Sequence, residues 1–184
     1  ESLRYAFFQV ASIISTTGFA TADYVLWPQL SRLVLVLLMF CGACAGSTGG
    51  GVKCSRVLML LRAIRREIHQ IAHPRSVEVV KLDGKVAEES TVHSVLVFVG
   101  CYGLILLGAA LVVSLDKMPF DVSFSAALTC LSNVGPGLAA IGPTGNFSGF
   151  SDLSKLALSL CMIVGRLEIF PILILFQPST WGRN

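Results

Sequence analysis

The chain has 184 residues, of which 54% are hydrophobic and only 14% charged, with a mean hydropathy of +0.75. This composition places it in a membrane and excludes an ordinary soluble domain. The formal net charge of +3 follows topology rather than nucleic-acid affinity, because the basic residues cluster at one membrane edge with no interleaved aromatics.

The first apolar run, residues 5–14, is too short to cross a hydrocarbon core of roughly 30 Å and suits a re-entrant half-helix. It is followed by STTGFATADY at 15–24, which opens with three consecutive hydroxyl residues and a glycine between two apolar runs. Residues 33–45 are too short to cross alone, but continue through glycines into 52–64. Eight of the 14 Lys and Arg residues then follow (Lys53, Arg56, Arg62, Arg65, Arg66, Arg75, Lys81 and Lys85). By the positive-inside rule, residues 53–90 are expected to be cytoplasmic and the two polar stretches to face outside. Within this connection VEVVKLDGKVAE, 77–88, places Asp83-Gly84 between β-prone arms and predicts a hairpin.

Residues 92–115 form a nearly uncharged span. A second short run, 122–131, repeats the half-helix pattern and leads into LSNVGPGL, 131–138. The last apolar span, 153–176, carries Arg166 and Glu168 inside it. There is no basic segment with a cleavage site, so no signal peptide is expected, and the absent initiator Met points to a fragment or processed chain.

Cys41 and Cys44 form a C-x-x-C, yet a second ligand pair is missing; with Cys54, Cys101, Cys130 and Cys161 the cysteines read mainly as small packing residues. His69, His73 and His93 read as solvated or interfacial. An enzyme would need paired catalytic groups at one depth, and no Ser/His/Asp or metal cluster is present, so the chain is expected not to be one.

The order of elements repeats: half-helix, glycine-bearing stretch, helix. Thr16-Thr17-Gly18-Phe19-Ala20 and Asn133-Val134-Gly135-Pro136-Gly137 both fit the outline of a potassium-filter TVGYG segment, with glycine third. Glycine permits the positive φ that turns successive carbonyls into one path. The carbonyls of Thr16, Thr17, Gly18, Asn133, Val134 and Gly135 are then expected to bind potassium as substrate, with Phe19 and Pro136 completing the filter segments. Helix C-capping is the plainer role for Thr16 and Thr17, but two such segments in matching positions favour the filter.

The glycine-rich stretch AGSTGGG does not fit a phosphate loop, because Val52 separates Gly51 from Lys53. Gly46, Ser47, Thr48, Gly49, Gly50 and Gly51 exceed what helix packing needs, and a break at this depth is tolerated where it lines a cavity. Arg166, costly near a helix centre, is expected to face protein or water with partners; Glu168, two residues on, is a poor partner for it. Asp23 and Asp152 read as loop charges, with cation attraction as the alternative.

STTGFAT, AGSTGGGVK, LSNVGPGL and GRLEIFP (residues 165–171), in this order, resemble the Trk/Ktr/HKT superfamily of potassium transporters, in particular the bacterial Trk-type pore subunit. The resemblance implies an all-α integral membrane fold of helix, pore-helix, filter, helix repeats. Residues 1–67 then correspond to the third repeat without its first helix, 68–90 to a cytoplasmic loop, and 91–184 to the complete fourth repeat. It further implies that Gly46–Gly51 is an intramembrane gating loop, with Arg166 pointing toward the pore beside it. A homodimeric pore, a cell inner-membrane location with a cytoplasmic C-terminus, and a cytosolic nucleotide-binding regulatory subunit contacting residues 62–89 are likewise implied, as is the first half of the same pore as partner. Potassium uptake, by permeation or symport and with no covalent cofactor, is the expected function. The alternatives are a non-transporting helical scaffold and a sodium/potassium-permeable member of the same family.

Overall fold

A computed structural model describes residues 1–175 except 43, 45, 48, 75, 77, 78 and 83. Its helices are α1 (Ser2–Ile14), α2 (Gln29–Cys41), α3 (Cys54–Ala72), α4 (Glu89–Ser114), α5 (Phe120–Ser132), α6 (Asp152–Arg166) and α7 (Phe170–Leu175). Short 3-10 turns at Tyr24–Leu26 and Ala139–Ile141 follow the two polar stretches.

The helices α1 and α5 each have 13 residues, about 20 Å at 1.5 Å per residue, so neither spans a bilayer. This is the expected half-helix length. Buried α5 is the centre of the molecule: it packs between α4 and α6 and against α2. The helix α4 has 26 residues with a mean hydropathy of 2.6 over its most apolar window and is long and apolar enough to cross. Val95, Phe98, Tyr102, Leu106, Ala109 and Val113 turn inward at helical spacing, whereas Leu104, Leu107 and Leu111 are exposed, an outer stripe suited to lipid.

Two expected spans are broken. The run at 33–45 does not continue as a helix into 52–64: α2 stops at Cys41, Gly42 takes φ +47°, and α3 starts at Cys54. The run at 153–176 ends as a helix at Arg166, and Glu168 at φ +53° separates α6 from α7. Arg166 is therefore the last residue of α6, where a cation favours the negative end of the helix dipole, rather than near a helix centre. Among the described residues, α4 alone passes the length and hydropathy test for a span.

The hairpin is present, with Lys81–Leu82 (β1) antiparallel to Lys85–Val86 (β2) and Leu82 opposite Lys85. Gly84 takes φ +77°, as the second position of such a turn requires; Asp83 lies outside the described residues. Arg62 holds the hairpin to α3 by donating to the Lys81 carbonyl. On the opposite side, Asp116 accepts a hydrogen bond from the Ser151 backbone N–H (3.0 Å). Bonds from Ser151 hold the Asp116 carboxyl below its ordinary range and tie the end of α4 to the start of α6.

Candidate functional site

The C-termini of α1 and α5 run into two turns of the same construction. Thr17 N–H donates to the Ser12 carbonyl (2.9 Å), and Val134 N–H donates to the Thr129 carbonyl (3.0 Å). The Ser12 hydroxyl donates to the Phe19 carbonyl (2.6 Å), and the Thr129 hydroxyl to the Pro136 carbonyl (3.0 Å). Thr16 and Asn133 both take positive φ, +54° and +55°, and two residues later Gly18 and Gly135 do so at +78° and +109°. Each pair of equivalents is separated by the same number of residues, so the two turns are copies in geometry, although only the glycine is common to their central sequences.

This construction has a consequence for the carbonyls. Those of Phe19 and Pro136 are drawn back to the half-helices by hydroxyls. Those of Thr16, Thr17, Gly18, Asn133, Val134 and Gly135 receive no hydrogen bond from any described residue. Six unsatisfied acceptors so close together need water or a cation. The negative ends of the α1 and α5 dipoles add to the same field.

The two turns touch. A Cβ at Gly18 would overlap the Val134 carbonyl oxygen and lie 3.1 Å from Pro136 Cδ. Glycine at 18 is therefore required by its neighbour as well as by its φ. Around Gly135, by contrast, a Cβ would meet nothing within 4 Å, so that glycine borders open space.

Capping falls to neither Thr16 nor Thr17: the Ser15 hydroxyl donates to the Ala11 carbonyl (2.6 Å), and Thr17 Oγ1 pairs with Ser15 Oγ (2.8 Å). Asp23 caps the following 3-10 turn by accepting from Val25 N–H (3.0 Å), and exposed Asp152 lies 3.9 Å from Lys155. Both have local structural roles.

Beneath the second turn lies the glycine-rich loop. A Cβ at Gly50 would overlap the Ser132 carbonyl oxygen and come within 3.1 Å of Asn133 Cβ, so the loop backbone abuts the end of α5. Gly51, at φ +76°, lies against Gly42 and the Phe40 carbonyl, and Val52 N–H donates to that carbonyl (3.0 Å). Gly49 N–H donates to Ser47 Oγ (3.1 Å), and Gly46 at φ +81° has open space around it. Thr48 lies outside the described residues.

Arg166 borders the same place, lining one recess with Asn133, Met162 and Ile163. Gly165 lets α6 approach closely: a Cβ there would overlap the Leu131 carbonyl, and Asn133 Nδ2 donates to the Met162 carbonyl (3.1 Å). The structure thus gathers the second turn, Gly50 and the α6 terminus within one neighbourhood.

Four site residues were not among the sequence candidates. Ser12 and Thr129 scaffold the turns; a hydroxyl four residues before Thr16 and again before Asn133 was the signal available. Tyr24 donates its phenol to the Gly137 carbonyl (2.7 Å). Glu168, a poor partner for Arg166 in sequence, instead binds Lys53 and Arg56, the latter at 2.7 Å. Arg56 also lies 4.1 Å over the Phe98 ring. This cluster ties the start of α3, just after the glycine loop, to the break after α6.

The family model described as "TrkH: Cation transport protein" matches residues 1–182. A Trk system potassium uptake protein TrkH from Salmonella typhimurium is 35% identical over 180 residues, covering 98% of this chain and 37% of the relative. Its counterpart in Vibrio parahaemolyticus is 38% identical over 181 residues, with the same coverage of both. A crystal structure of the potassium transporter TrkH from Vibrio parahaemolyticus superposes with a TM-score of 0.87 at 37% identity, covering 97% of this chain and 38% of that one. The chain thus spans somewhat over a third of the length of the relatives it matches.

Proposed function

The chain belongs to the TrkH family of cation transport proteins, and on that premise we propose that it supplies two of the filter-bearing repeats of a potassium-uptake pore. Residues 1–67 and 91–184 are the two repeats, joined by the cytoplasmic connection 68–90. What carries the reading is the pair of matching turns, with six adjacent carbonyls that no described donor satisfies.

In this mechanism the carbonyls of Thr16, Thr17, Gly18, Asn133, Val134 and Gly135 replace the water around a potassium ion. Phe19 and Pro136 act through their tethered carbonyls, which hold the turns open. Two segments cannot surround an ion; two more, from the remainder of the parent pore, complete the ring. Below the filter, Gly46, Ser47, Thr48, Gly49, Gly50 and Gly51 obstruct the path, and Arg166 repels cations when the path is shut. Glycine suits this loop because a backbone free of Cβ atoms passes between conformations at little steric cost.

Relatives named as potassium uptake proteins support potassium as the substrate. The inner membrane, with residues 53–90 on the cytoplasmic side, is the proposed location. A homodimeric pore and a cytosolic nucleotide-binding regulatory subunit docking on residues 62–89 are the proposed partners.

Rubidium uptake by the full-length parent in proteoliposomes tests the reading, alongside Gly18→Ala. Uptake by the parent and its loss in the variant are expected; a parent that carries no rubidium under any gating condition leaves the scaffold alternative standing.

A further inference from the structure

Resting on the pore reading above, we propose that Tyr24 is a positioning residue for ion selectivity: its phenol, bonded to the Gly137 carbonyl, fixes the spacing between the two filter segments. Tyr24 is fully buried at 0% exposure. Its 2.7 Å bond to Gly137 is the only hydrogen bond among the described residues joining 1–28 to 119–150. Among the described residues, every other hydrogen bond of these two turns lies within one half-helix and its own turn, or leads to α4 or α6.

Both ends of the bond are immobilised. On the donor side, the 3-10 turn is closed by Trp27 N–H to the Tyr24 carbonyl (3.1 Å) and capped by Asp23, and the Trp27 ring meets the phenol ring edge-on at 6.5 Å. On the acceptor side, Gly137 N–H donates to the Ile141 carbonyl (2.7 Å), and Leu138 N–H donates to Ser125 Oγ (3.1 Å). Gly137 directly follows Pro136, whose carbonyl Thr129 holds, and lies two residues after Gly135. A displacement of Gly137 therefore moves the free carbonyls of the second turn relative to those of the first.

The tether is one-sided. At the separation that pairs Ser12 with Thr129 and Gly18 with Gly135, Tyr24 pairs with Ile141, whose side chain has no donor. Among the described residues, only the first repeat sends a side-chain hydrogen bond across. The bare carbonyl oxygens repel one another, so their spacing is set by the frame behind them. Sodium, being smaller than potassium, is well coordinated only if that frame closes in. A frame joined by Tyr24 resists this closure and favours the larger ion.

A plainer role is that a buried phenol simply satisfies its hydroxyl, and the competing-ion ratio separates the two roles. In the full-length parent, the sodium and potassium concentrations that halve rubidium uptake are measured for wild type and Tyr24→Phe. Loss of one hydrogen bond is expected to lower the sodium value roughly fivefold and to leave the potassium value nearly unchanged. Reduced uptake with an unchanged ratio overturns the inference and leaves the pore reading intact; no uptake by wild type removes both. If Tyr24→Phe fails to assemble, 3-fluorotyrosine at position 24, a stronger donor of similar shape, is expected to raise the sodium value, and an unchanged value overturns the inference.

Discussion

Glycines 18 and 135 occupy equivalent places and will not respond alike. At both, an alanine adopts a positive φ, which costs about 1–2 kcal/mol. At Gly18 the added methyl also overlaps the Val134 carbonyl, so the two turns must part. Gly18→Ala is expected to lower thermal stability and abolish rubidium uptake, while Gly135→Ala assembles and loses discrimination between cations; thermal melts of the purified variants beside uptake assays check this. Thr129→Val removes the hydroxyl that serves both the Gly135 N–H and the Pro136 carbonyl. Leaving those groups unpaired is expected to cost about 1–3 kcal/mol, read as a lower melting temperature with impaired sodium exclusion. The glycines and the run of polar residues were legible in the sequence because φ requirements leave a composition trace. The scaffold hydroxyls were not, because a lone serine or threonine in an apolar helix has many uses.

At the scale of elements, the half-helices and α4 follow from length and hydropathy alone, whereas the breaks do not. A sequence reading treats 153–176 as one span, since the apolar run resumes at Ile169 after the charges of Arg166 and Glu168. What ends the helix is tertiary: Glu168 at φ +53° faces Lys53 and Arg56, cations more than a hundred positions earlier. That pairing links the glycine loop's exit to the α6 terminus, where Arg166 lies. Glu168 is 41% exposed at its side chain and its partners less so, so removing it is expected to cost about 1–2 kcal/mol, between the surface and buried ranges. In Glu168→Ala the loop loses an anchor. Hydrogen exchange of amides between 46 and 56 is expected to quicken in that variant while α4 stays protected; equal protection in both proteins contradicts the link.

For the whole molecule, the repeat was legible as an order of elements, and four motifs in sequence point to the family independently of the fold. Contact between the turns was not legible, because a chain order does not state which carbonyl faces which glycine. The proposal that these carbonyls select potassium is tested by rubidium uptake into proteoliposomes carrying the full-length parent, with and without competing sodium, beside Gly135→Ser. Uptake that resists sodium in the parent and loses that resistance in the variant is the expected result. Uptake equally sensitive to sodium in both proteins would contradict the claim.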